Sequence, residues 1–129
     1  MARRMLLPRS MCSLKYDAPK SKWMAMAESK AAPETSKALY ASWKRALKSE
    51  GITVASIEQV ENSVMLDHFS FESNKKLAIV FGNEVKGVQQ EVVSESDYCI
   101  EIPQKGTKHS LNISVSCGVV LWDLSQKIK

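Results

Sequence analysis

Leu77-Ala-Ile-Val-Phe-Gly-Asn-Glu84 begins with five apolar residues and stops at a glycine followed by two polar ones. A strand with one wet face alternates apolar and polar side chains, whereas a parallel strand covered on both faces is apolar throughout. Leu77–Phe81 is of the second kind, so it predicts a central parallel strand between two layers of helix. Upstream, Ile52-Thr-Val-Ala-Ser-Ile57 is a β-branched run and reads as another strand. Downstream, Gly87 leads into a short helix over Val88–Val93. A third strand covers Tyr98–Ile102 and ends at Pro103, which cannot continue a central ladder. The loop Gln104–His109 then delivers the chain to a last helix running from Ser110 toward Lys127. Within it Ile113, Cys117, Val120, Leu121 and Leu124 form an apolar stripe, and Ser114, Ser116 and Gly118 are small enough for close packing on another helix or subunit.

Before these elements, Leu39, Trp43, Ala46 and Leu47 fall on one face of a helix, with Lys37, Lys44, Arg45 and Lys48 on the opposite, solvated side. Gly51 is a natural helix stop. Residues 58–76 are mixed and polar; Val64, Met65, Leu66 and Phe69 hint at a helical turn. The order helix, strand, loop, strand, helix, strand, helix defines an α/β class, a parallel sheet with flanking helices.

The 129 residues suffice for one domain with a modest core. No apolar run approaches the roughly 20 residues of a membrane span. Residues 1–33 hold seven Lys/Arg against two acids, a net of +5, so the total of +4 leaves −1 for residues 34–129. The basic character therefore belongs to an N-terminal segment without sustained period, read as a poorly ordered arm, and not to a binding face. Residues 34–129 are the candidate domain. The arm's Arg-rich, acid-poor start also resembles an organelle transit peptide. Cys12, Cys99 and Cys117 are widely spaced, without the pattern of a disulfide framework or zinc site, which fits a reducing compartment such as the cytoplasm. Cys99 and Cys117 sit in apolar runs and read as buried, inert thiols.

Parallel sheets bind ligands beyond the carboxyl ends of their strands. Both Gly82-Asn-Glu84 and the Pro103–His109 loop leave from such ends, so the chemistry-bearing residues converge on one rim. Gly82, lacking a Cβ, admits either a close ligand or a positive-φ turn. Glu84 is placed to accept hydrogen bonds or orient a basic group, or is a solvated surface carboxylate. Ser110 reads as the N-cap of the last helix, and Asn112 in its first turn can donate and accept at once. His109 has no visible partner and is assigned no role, and no metal-ligand cluster is present.

Residues 77–129 resemble the C-terminal motifs of the SpoU/TrmH family of RNA ribose 2′-O-methyltransferases, in the SPOUT superfamily. The second motif of that family looks like Val80-Phe-Gly-Asn-Glu84 with Gly87. The third looks like Ile102-Pro103, a short loop, Ser110-Leu-Asn112 and a small-residue helix. The resemblance implies S-adenosylmethionine as cofactor, contacted by Gly82, Ile102 and Leu111, which stand 20 and 9 residues apart. It implies Glu84, Ser110 and Asn112 as the catalytic set, and tRNA or rRNA as partner. It also implies a SPOUT α/β knot, truncated here, whose C-terminus threads into a trefoil and forms a homodimer. Family members carry an upstream motif with an asparagine and an activating arginine. Residues 1–50 lack that pattern, so Arg3, Arg4 and Arg9 are given no such role. The alternative implied is a catalytically inactive fragment that retains cofactor binding and dimerisation.

Overall fold

The computed structural model describes residues 11–14, 23–28, 36–72, 74–82, 85–107 and 110–127, with side chains from residue 42 onward except Trp43. In chain order the elements are β1 (Met11–Leu14), β2 (Trp23–Glu28), α1 (Ser36–Ser49), β3 (Ile52–Ile57), β4 (Val64–Met65), β5 (Lys76–Phe81), α2 (Gln90–Glu95), β6 (Tyr98–Glu101) and α3 (Ile113–Lys127). They form one sheet in the order β1-β2-β5-β3-β6-β4. β5 pairs in parallel with β3 from Ile52↔Lys76 to Ile57↔Phe81, and with β2 from Trp23↔Leu77 to Ala27↔Phe81. β6 and β4 continue the parallel set beyond β3, while β1 lies antiparallel on the outside of β2.

The uninterrupted apolar run of β5 is explained by burial on both sides. Leu77, Ile79 and Phe81 point into one core with Ala55, Ile100, Val120 and Leu124. Ala78 and Val80 point into a second, with Leu47, Val54, Val88 and Val92. Residues alternate between faces along a strand, so adjacent positions must both be apolar when each face carries a layer. Each fully buried Leu, Ile, Val or Phe side chain contributes roughly 1.5–3 kcal/mol relative to exposure. α3 covers the first face through Val120 and Leu124, with Ile113, Cys117 and Leu121 packed against the same cluster, which is the stripe expected from its sequence. α1 and α2 cover the second.

Several local expectations shift. The stretch read as an arm contributes β1 and β2. Trp23-Met-Ala-Met-Ala-Glu28 has weak strand character by itself, and its order comes from pairing with the edge of β5. The expected helical turn around Val64–Phe69 is an edge strand at Val64–Met65, followed by a turn in which Phe69 N–H donates to Met65 O at 2.9 Å. The short helix starts at Gln90 instead of Val88, the third strand ends at Glu101, and the last helix begins at Ile113.

The N-cap of α3 is therefore Asn112 and not Ser110. Asn112 Oδ1 accepts from Ser114 N–H at 2.9 Å and from Ser114 Oγ at 2.6 Å. A side-chain oxygen at this position satisfies a backbone donor that the helix itself leaves free. At the other end, Lys127 Nζ donates to the Leu66 and Asp67 carbonyls and pairs with Asp123 at 2.7 Å. This fastens the end of α3 to the turn after β4.

The basic side of α1 is also not simply solvated. Lys44 is buried, and its ammonium donates to Glu95 at the end of α2. Lys48 lies 3.7 Å from Asp97. Asp97 also extends the β3–β6 ladder, because its Oδ2 accepts from Val54 N–H at 2.8 Å and its N–H donates to Val54 O at 2.8 Å. The fully buried Ser56 hydroxyl meets Ser96 Oγ at 2.6 Å, and Ser96 Oγ donates to Val92 O, so Ser56 is the donor to Ser96. Leu47 is buried at the end of the apolar stripe of α1. The side chains of Leu39 and Trp43 lie outside the described residues. Gly51, at φ +67°, ends α1 in the left-handed conformation that glycine adopts without strain.

Two outcomes follow from these contacts. The Lys44 hydrogen bond, and then its charge, hold the Glu95 carboxyl below its ordinary pKa of 4.5. A lowered folded-state pKa gives stability that is present above the unfolded-state value and is lost as pH falls through the folded-state value. Glu95→Gln therefore lowers Tm at neutral pH, and its difference from the parent closes in thermal melts below the carboxylate range. Asn112→Ala, which removes the cap of α3, costs about 1 kcal/mol in urea unfolding, and Asn112→Ser recovers most of it.

Candidate functional site

β5, β3 and β6 are adjacent and parallel, so their carboxyl ends lie side by side. At those ends the chain leaves through Gly82, Glu58 and Ile102. The three exits surround a cleft of about 650 Å³, within the roughly 300–1,000 Å³ range of small-molecule sites. Phe81, Ile100, Ile102 and Leu111 supply apolar walls, and Glu58, Gln59, Lys86 and Gln104 are among the polar groups around them. Ser110 and Leu111 reach the cleft from the segment before α3.

Of the residues singled out in the sequence, Gly82, Ile102, Ser110 and Leu111 all line this one cleft. Asn112 stands immediately after them, and its side-chain oxygen is engaged in capping α3. Glu84 and His109 lie outside the described residues. His68 is exposed in the turn after β4 and faces Asp67 at 3.8 Å, away from the cleft.

Gly82 departs from one of its two sequence readings, the positive-φ turn. Its φ is not positive, and the lack of a Cβ serves an approach of the chain to itself: a Cβ there would overlap the Gly87 carbonyl carbon and Val88 N. Gly87 in turn adopts φ +65°, and a Cβ on it would press into the Glu58 carboxylate. The two glycines thus let Gly87 and Val88 pack tightly between Gly82 and the Glu58 carboxylate at the end of β3.

Glu58 was not among the sequence candidates, yet it lies at the centre of the rim. Its Oε2 accepts from Val88 N–H at 2.7 Å and its Oε1 from Gln59 N–H at 3.1 Å. Its own N–H donates to Ile100 O at 3.1 Å. The signal for it was available: it follows a strand as directly as Gly82 does, and the strand-end rule applies equally to β3. Cys99 and Cys117 are half-buried, not fully buried. Burial pushes both thiols up, with the Glu58 charge adding to the effect at Cys99, so both stay protonated near neutral pH.

A family model described as the SpoU rRNA Methylase family matches residues 2–122. The chain is 35% identical over 80 residues to a tRNA (guanosine(18)-2'-O)-methyltransferase of Mus musculus, covering 62% of this chain and 5% of that protein. It is 38% identical over 81 residues to the tRNA (guanosine(18)-2'-O)-methyltransferase of Saccharomyces cerevisiae, covering 63% and 6%. The chain thus spans a small part of these relatives. Among solved structures, the A. aeolicus TrmH/SpoU tRNA modifying enzyme superposes with a TM-score of 0.59 at 29% identity, over 67% of this chain and 43% of that one. The AdoMet-bound rRNA methyltransferase from Sinorhizobium meliloti gives 0.61 at 26% identity, over 72% and 34%. With the parallel sheet, the strand-end cleft and a match over nearly the whole sequence in agreement, the chain belongs to the SpoU rRNA Methylase family.

Proposed function

We propose that this chain binds S-adenosylmethionine in the cleft at the ends of β5, β3 and β6 and methylates a ribose 2′-hydroxyl of tRNA or rRNA. The carrying observation is the convergence of Gly82, Ile102, Ser110 and Leu111, from separate stretches of chain, on one cleft. The names of the relatives, tRNA 2'-O-methyltransferases among them, support the reaction class. The cleft fits the cofactor chemically, because apolar walls at Ile102 and Leu111 suit an adenine ring and polar groups at its edge suit charged ends. Gly82, Ile102 and Leu111 would hold the cofactor, which when bound supplies an electrophilic methyl group. Residues 34–129 are the part that carries this site, and the basic residues 1–33 add β1 and β2 to its sheet. A C-terminal trefoil knot and a cytoplasmic setting belong to the same reading.

What remains for the chain's own residues is positioning and proton movement. A ribose hydroxyl ionises far above neutral pH, so the reaction needs in-line alignment and a group that takes up the proton. Ser110, which lines the cleft with a hydroxyl that donates and accepts, would hold the ribose, and Glu84 and Asn112 would complete the catalytic set. The absence of the Asn–Arg motif from residues 1–50 favours a second reading, a chain that binds the cofactor without turnover.

Titration calorimetry of the full chain with S-adenosylmethionine gives saturable binding, weakened about tenfold or more by Leu111→Ala through lost apolar contact. A tritium-methyl assay on bulk tRNA and rRNA gives incorporation. Binding without incorporation supports the non-catalytic reading, and no binding overturns both.

α3 also supports a homodimer. Val115, Val119 and Trp122 are 50%, 39% and 66% exposed. They follow helical spacing on a face distinct from the buried Val120 and Leu124, giving an apolar face with small residues beside it. Sedimentation velocity is expected to show a dimer that Trp122→Glu converts to a monomer with an unchanged circular dichroism spectrum. A monomeric parent chain rejects the interface.

A further inference from the structure

We infer that Glu58 is a positioning residue that holds Gly87 and Val88 as a wall of the cleft, an inference that rests on the cleft being the cofactor site. Three observations carry it. The Glu58 carboxylate accepts from Val88 N–H at 2.7 Å, and Val88 lies directly against Gly82. Gly87 leaves room for that carboxylate where any Cβ would collide with it. Glu58 N–H also donates to Ile100 O, so the same residue is tied to the strand that leads to Ile102. β3 lies between β5 and β6 in the sheet, which makes the residue after β3 the one that can touch both neighbouring exits.

The physical reason for a carboxylate here is the strength of its bond. A backbone N–H bonded to an ionised oxygen is held more strongly than one bonded to a neutral acceptor. Gly87, next to the anchored Val88, holds φ +65° and gains freedom if that bond opens, so the carboxylate restrains it. Glu58 acts on the cofactor through Gly87 and Val88, which abut Gly82.

The test uses the full chain with Glu58→Ala and Glu58→Gln, each checked for a folded circular dichroism spectrum. Amide hydrogen exchange at Val88, measured without cofactor, accelerates about tenfold or more in Glu58→Ala. It returns most of the way toward the parent in Glu58→Gln, whose amide oxygen still accepts the bond. Calorimetry with S-adenosylmethionine shows the same order, with Glu58→Ala weakened about tenfold and Glu58→Gln largely restored. Unchanged Val88 exchange in Glu58→Ala overturns the anchor. Equal loss of cofactor affinity in both variants, with Val88 protected in Glu58→Gln, also overturns it, because the charge then acts on the ligand directly. If the parent chain takes up no cofactor while Val88 exchange still follows position 58, the anchor is supported and the cofactor reading fails.

Discussion

Burial of β5 on both faces is the constraint from which the rest of the molecule follows. A strand with Leu77, Ile79 and Phe81 on one side and Ala78 and Val80 on the other has no face that can meet water without loss. It must lie inside a sheet and between two layers. Helices provide those layers, α1 and α2, which connect parallel strands, on one side and α3, which follows the last strand, on the other. Parallel pairing then sets the carboxyl ends of β5, β3 and β6 beside one another, and the cleft forms where their exits diverge.

The cleft is shaped as much by backbone economy as by side chains. Gly82 and Gly87 let the chain after β5 fold onto itself, and the Glu58 carboxylate receives the Val88 N–H that this fold presents. On the opposite side Asn112 starts α3, while Ser110 and Leu111, just before it, face the cleft. The far end of α3 is held by Lys127 on the Leu66 and Asp67 carbonyls. A helix fixed at both ends presents the preceding residues at a defined height over the strand ends. Ile102, still nearly buried, joins the apolar core to the cleft wall.

Membership of the SpoU rRNA Methylase family rests on a match over residues 2–122, whereas individual relatives align over about three-fifths of this chain. In the mouse and yeast relatives the aligned part is only 5% and 6% of the protein. This chain therefore corresponds to a small part of those two proteins.

The sequence by itself determined β3, β5 and β6 and the rim at their ends. Ile52–Ile57 was legible to the residue because β-branched side chains accumulate where a pleated surface packs on both sides, and Leu77–Phe81 fell one residue short of β5. The stripe of α3 was equally plain, since helical spacing of apolar residues is local information. Gly82 and Ser110 stood at element ends that the sequence marks, Ile102 and Leu111 were named through the family resemblance, and all four line the one cleft. Only tertiary structure decided the remainder. β2 takes its order from a partner more than forty residues away, and Lys44 leaves the solvated side of α1 because Glu95 comes within reach. Asn112 replaces Ser110 as the cap because packing sets where α3 begins. Glu58 gained its place from strand order, since β3 is inserted between β5 and β6 by long-range pairing, and no local pattern records which strands become neighbours.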